Sequence, residues 1–290
     1  MTIAQPKPLR LERTFDATPQ EMWEAWTDPT HYAKWLNPSG IDLVIHEWDL
    51  REGGRMRFDM PQPDGNKNPQ EGVFHLLRPY SHLVSGSEDK SFLLDVRIEP
   101  VGKARCRLLV EITGVPPDWH EAAMVGWGQC LVNLDVELAR STPIGGQSWS
   151  LERVLDATPE DVWTAFTDRE VYKKWISPFR ADAEVHEFDP RPGGRGRFTM
   201  IGENGERYPE AAFLFLKLDK PREIVMFEAN RDRTDIFDGH PMQMRVTFEA
   251  LPGDKTRLVL TQSGLPKDFP VEVARQGFGA CLDKLERVLA

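Results

Sequence analysis

LERTFDATP at residues 11–19 and LERVLDATP at residues 151–159 are the same pattern, offset by 140 positions. Extended without a gap, residues 11–60 match residues 151–200 at 26 of 50 positions, among them HEWDLREGGRMRF against HEFDPRPGGRGRF. The correspondence returns near each end. Gly114-Val115-Pro116 answers Gly264-Leu265-Pro266, and Gly126-Trp127 with Leu131, Leu134 and Leu138 answers Gly277-Phe278 with Leu282, Leu285 and Leu289. A period this long is not that of a solenoid, whose units run ~20–50 residues, so the chain is a duplicated domain. RSTPIGGQS at 140–148 has the Pro, Gly and Ser content of a linker. The expected division is a first domain at 1–142, a linker at 143–148 and a second domain at 149–290, in keeping with ~100–200 residues per domain.

Within one copy, a short strand at 9–15 (or 149–155) precedes a helix start. Thr18 and Thr158 are placed to N-cap, Pro19 and Pro159 to occupy the first helical position, and Glu21 to complete a capping box. A second short helix carries Tyr32 and Trp35, or Tyr172 and Trp175, and stops near Pro38 or Pro178. Strands follow. Gly53-Gly54 marks a hairpin, and Met56, Phe58 and Met60 then alternate with Arg55, Arg57 and Asp59, giving one apolar and one wet face. The last segment places Trp127, Leu131, Leu134 and Leu138 at helical spacing, a stripe that must bury against the sheet. The fold class is therefore α+β. Each domain is expected to be a curved antiparallel sheet of about six to seven strands around a long C-terminal helix, with two short helices after the first strand.

Composition excludes several classes. Forty-six acidic against 36 basic side chains leave a net charge of −10, which repels nucleic acid and anionic membranes unless a basic patch intervenes. None is apparent in the sequence. Cys106, Cys130 and Cys281 have neither metal-ligand nor disulfide spacing, and no apolar run approaches a signal peptide or a ~20-residue membrane span. A reduced, cytoplasmic protein without metal or cofactor is the expectation.

Trp35-x-x-Pro38 and Trp175-x-x-Pro178, then Asp49-x-Arg51-x-Gly53-Gly54-Arg55 and Asp189-x-Arg191-x-Gly193-Gly194-Arg195, then a closing Gly-aromatic helix, resemble the heat shock protein 90 ATPase activator-like family. That family belongs to the START-like, or birch-pollen-allergen-like, helix-grip superfamily. The resemblance covers nearly all of both copies. It implies a deep cavity between sheet and helix, used in the superfamily for lipids, hormones or polyketides and in some members for cyclase or hydrolase chemistry. The eukaryotic activators carry a separate N-terminal domain that makes most of the chaperone contact. None is read ahead of Leu9, so a chaperone partner ranks below a small apolar ligand.

The candidate ligand-binding residues are Trp35, Phe58 and Trp127 in the first copy, with Trp175, Phe198, Met200, Met244 and Phe278 in the second. Core packing is the competing explanation for each, since a helix-grip cavity wall is also core. His46-Glu47 and His186-Glu187 read as structural or surface residues rather than catalytic dyads, because neighbours on a strand face opposite ways and cannot pair side by side. Asp49, Arg51 and Arg55 read as hairpin-shielding charges, and Cys130 and Cys281 as small buried hydrophobes. An enzyme would need a polar group turned inward, such as His75, Asp95 or Arg245. The second copy is expected to be the better ligand site. It has a longer connection at 226–241, methionines at 200, 226, 242 and 244, Gly196 opposite Met56, and Phe278 opposite the larger Trp127.

Overall fold

The computed structural model of the protein describes residues 7–228 and 240–290. The central part of the second copy's longer connection, 229–239, lies outside the described residues. The chain divides into two compact units, Met1–Ser141 and Thr142–Ala290.

In the first unit, β1 (Leu9–Phe15) leads into α1 (Pro19–Thr27) and α2 (Pro29–Trp35). Thr18 caps α1: its hydroxyl accepts from the Glu21 N–H while the Glu21 carboxylate accepts from the Thr18 N–H at 2.7 Å. Asp28 ends α1 and caps α2, so the two helices share one junction residue. Six strands follow as a meander: β2 (Val44–Trp48), β3 (Arg55–Pro61), β4 (Lys67–Arg78), β5 (His82–Gly86), β6 (Leu93–Val101) and β7 (Arg105–Thr113). They form one antiparallel sheet in the order β1-β7-β6-β5-β4-β3-β2. The helices α1 and α2 therefore carry the chain from one edge of the sheet to the other. The long α3 (His120–Ser141) then buries Leu131, Leu134 and Leu138 in the same core as α1, α2 and the strands.

The second unit repeats this plan. β8 (Gln147–Leu155), α4 (Pro159–Thr167) and α5 (Arg169–Tyr172) precede β9 (Asp182–Phe188), β10 (Arg195–Ile201), β11 (Ala211–Asp219), β12 (Glu223–Glu228), β13 (Met242–Leu251) and β14 (Lys255–Leu265). The sheet order is β8-β14-β13-β12-β11-β10-β9, and α6 (Val271–Leu289) closes the unit with Leu282 and Leu285 fully buried. The described residues of each domain thus form one seven-stranded sheet in a helix-grip architecture. β8 begins inside the segment read as linker. Gln147 pairs with Leu265, and its side-chain amide nitrogen lies 2.8, 2.7 and 3.0 Å from the carbonyls of Pro266, Lys267 and Phe269.

The paired glycines are obligatory at the hairpin. Gly53 and Gly193 sit at φ +78° and +79°. A Cβ on Gly54 or Gly194 would fall 2.0 or 1.9 Å from the carbonyl oxygen of Asp49 or Asp189. The same aspartates pair with Arg51 and Arg191 at 2.8 Å, so this charged set stiffens the turn in both domains.

Strict alternation fails at His46 and His186. The pairing register shifts between Ile45 and Glu47, and again opposite the Arg197–Phe198 step, so each histidine is the extra residue of a β-bulge. His46 and Glu47 are consequently both exposed rather than on opposite faces. His46 lies 3.1 Å from Asp59, and His186 bonds the Thr199 hydroxyl at 2.9 Å.

Candidate ligand cavity

A cavity of about 470 Å³ lies in the second domain between the inner face of the sheet and α6. Its helix side is built from Ala274, Gly277, Phe278 and Cys281. Three of these are small and recur at three- and four-residue spacing, which leaves a shallow trough along α6. Opposite lie Met226, Met242 and Met244 from β12 and β13, with Phe198 and Met200 from β10. Unbranched thioethers pack loosely and re-form around a guest, so this wall can adapt its shape. Phe269, three residues after Pro266, is buried and borders the cavity, whereas Trp119, three after Pro116, is exposed in the first domain.

Of the sequence-selected residues, Phe198, Met200, Met244 and Phe278 line this cavity. Trp175 does not. Its indole N–H donates to the Ala165 carbonyl at 2.8 Å, and Trp35 does the same to Ala25. Trp35 thereby pins α2 to α1, while Trp175, in the turn three residues past the end of α5, ties that turn to α4. Phe58 is buried in the first core against Tyr32, with ring centroids 5.9 Å apart, and Trp127 packs partly buried against that core. The extra room expected from Gly196 is not there. The ring of Phe213 on the neighbouring strand lies 2.1 Å from where a Cβ on Gly196 would sit. In the first domain the pair is reversed, with Met56 facing Gly72.

The polar groups proposed for chemistry point elsewhere. His75 bonds the Ser87 carbonyl at 2.9 Å, Asp95 pairs with His82 at 3.0 Å, and Arg245 pairs with Glu223. Burial pushes the Cys130 and Cys281 thiols up to about 12, opposed only in part by a backbone hydrogen bond and by Lys284 respectively. Both are protonated and donate to the carbonyls of Leu36 and Ile176, so neither is an activated nucleophile. Burial also raises the Tyr172 phenol, with Cys281 and Glu228 adding to the effect.

Sequence reading missed Gln262, Tyr172, Phe213 and Phe269. Gln262 was findable. It follows Leu258 and Leu260 at the inward parity of β14, where the first domain has Leu108, Val110 and Ile112. It is buried, accepts a hydrogen bond from the Trp149 indole at 3.1 Å, and borders the cavity. Among the described residues, no cluster of three His, Cys, Asp or Glu is arranged to hold a metal, and no helix is long and apolar enough to cross a membrane.

A family model described as Activator of Hsp90 ATPase homolog 1-like protein matches residues 16–139 and again 156–290. The chain belongs to this family, twice over. Solved structures similar to it include a Chromobacterium violaceum protein, 26% identical, covering 49% of this chain and 97% of its own at a TM-score of 0.44. A Nitrosomonas europaea protein is 22% identical over 51% of this chain and 97% of its own, at 0.43. An AHSA1-like protein from Aeromonas hydrophila is 22% identical over 49% and 91%, at 0.40. No curated protein matches the chain.

Proposed function

We propose that the protein binds, carries or senses a small, largely apolar molecule in the cavity of its second domain, through Phe198, Met200, Met244 and Phe278. The observation that carries this reading is the cavity itself, whose about 470 Å³ falls in the range of small-molecule sites, ~300–1,000 Å³. Its apolar wall supplies affinity by removing ligand surface from water, at roughly 25 cal/mol per Å² before the costs of association.

The test is displacement of an environment-sensitive apolar dye from the full chain by panels of fatty acids, their esters and aromatic polyketides. Met244→Trp fills the cavity from the sheet side and is expected to weaken dye binding by about tenfold or more while the fold persists. Undiminished binding in that variant would place the dye elsewhere and end the proposal. The family description favours a second reading, a cofactor of a heat shock protein 90 homologue. Co-purification with that chaperone and a change in its ATPase rate would support it. Turnover of a bound compound would instead point to a cyclase-like or hydrolase-like enzyme.

A further inference from the structure

Four strands of the second sheet place Met226, Met244, Gln262 and Trp149 side by side in one row across the inner face. Three of these border the cavity, and Gln262 is the one primary amide among its described lining residues. A buried amide costs free energy unless both its ends are used. The Gln262 oxygen end is settled. The Trp149 indole has a donor and no acceptor, so at 3.1 Å it must face Oε1, which fixes the amide against flipping. Nε2 is thereby turned toward Met242, whose sulfur accepts weakly at 3.8 Å. A thioether is a poor acceptor and Nε2 carries two hydrogens, so this end of the amide keeps donor capacity to spare at a residue that borders the cavity. Trp149 is itself held, buried, against the Phe278 ring at 5.4 Å.

The first domain has no amide in the corresponding row. Its row is Ser85, Leu94, Ile112 and Leu9. Gln262 and Trp149 stand together where the first domain has two aliphatic residues, as a donor and its orienting partner would.

We infer that the ligand of the second domain is an apolar molecule bearing a neutral oxygen acceptor, of the ketone, ester or ether kind, which accepts a hydrogen bond from Gln262 Nε2. The inference rests on the proposed binding function and adds the ligand's polar end to it. The neutral class follows from the site: the donor is an uncharged amide, and no lysine, arginine or histidine stands among the described lining residues to hold an anion.

The experiment compares benzophenone with diphenylmethane, which differ by one carbonyl, as competitors of an apolar dye on the full chain. Gln262→Met keeps side-chain length and removes the donor. It is expected to weaken benzophenone about threefold to tenfold, the worth of one net hydrogen bond, and to leave diphenylmethane within about twofold. Trp149→Phe keeps Gln262 but releases its orientation, and is expected to weaken benzophenone selectively by a smaller factor. Should Gln262→Met fail to fold, the Trp149→Phe comparison decides. Equal shifts for both competitors, or none for either, would overturn the inference while leaving the binding function standing. Failure of both competitors to displace dye from the unaltered chain would overturn the two together.

Discussion

The row of side chains running across the inner face of each sheet is Phe74, Ser85, Leu94, Ile112 and Leu9 in the first domain. In the second it is Phe215, Met226, Met244, Gln262 and Trp149. Backbone plan, register and the first aromatic are shared, and every other position differs. The helix opposite keeps its small residues, since Ala123, Gly126 and Cys130 in α3 answer Ala274, Gly277 and Cys281 in α6, although Phe278 replaces Trp127. Duplication has preserved what forms the fold, including Val96 and Leu108 as Val246 and Leu258 elsewhere on the sheet, while this one row of the inner face has diverged. In the second domain that row is flexible, and its polar group is an amide bordering the cavity, whereas the polar group of the first row is the buried Ser85 hydroxyl.

If the preserved part is what forms the fold, its loss must cost both domains alike. Leu134 and Leu285 are fully buried mid-stripe on the covering helices. Truncation to alanine at either is expected to cost ~2–5 kcal/mol in its own domain, by chemical denaturation. A cost below ~1 kcal/mol at both would mean the stripes do not hold the cores.

The diverged part should respond to exchange. Gly196→Met imposes the first domain's residue where Phe213 already stands, and overpacking is expected to cost ~1–3 kcal/mol. Adding Phe213→Gly recreates the Met56–Gly72 arrangement and should recover most of that loss. A double-mutant cycle showing simple additivity would mean the two positions do not share one space.

That pair also shows what single-strand reading cannot see. The fold was legible because its signals are local. Thr18 with Glu21 announces a helix start, Gly53-Gly54 a turn, and Leu131, Leu134 and Leu138 a buried face, each within a few residues. The cavity depends on partners across strands. The space opened by Gly196 is closed by a ring seventeen positions on, and the inward direction of Gln262 matters only because Trp149, over a hundred positions earlier, lies beside it. The bulges at His46 and His186 belong with these, since an extra residue shows only once the strands are paired.

A smaller contrast lies at the first helix of each domain. Glu21 reaches back to the Thr18 N–H at 2.7 Å, completing a reciprocal cap. Asp161, one methylene shorter, accepts from the Thr158 hydroxyl at 2.7 Å instead. Glu21→Ala should therefore destabilise its domain by ~0.5–1 kcal/mol, and Asp161→Ala by less. Equal losses would show that the two caps are equivalent in strength.

The smallest effect is expected from cutting the chain in two. Each core cluster draws on one half alone, from Leu9 to Leu138 in the first and from Trp149 to Leu285 in the second. Separating them removes no contact within either cluster. We propose that 1–142 and 143–290 fold independently, with stabilities within ~0.5 kcal/mol of those in the full chain, the usual spread for changes away from any core. Where the cut falls matters more than the cut. A second fragment starting at 149 loses Gln147 and its reach to three carbonyls around Pro266, so it should be less stable than 143–290 by ~1 kcal/mol, about the net worth of one such bond. Thermal melts of the three fragments beside the full chain measure this. Loss of cooperative unfolding in both 1–142 and 143–290 would mean that the domains complete one another, and the comparison between them would then describe two parts of a single folding unit.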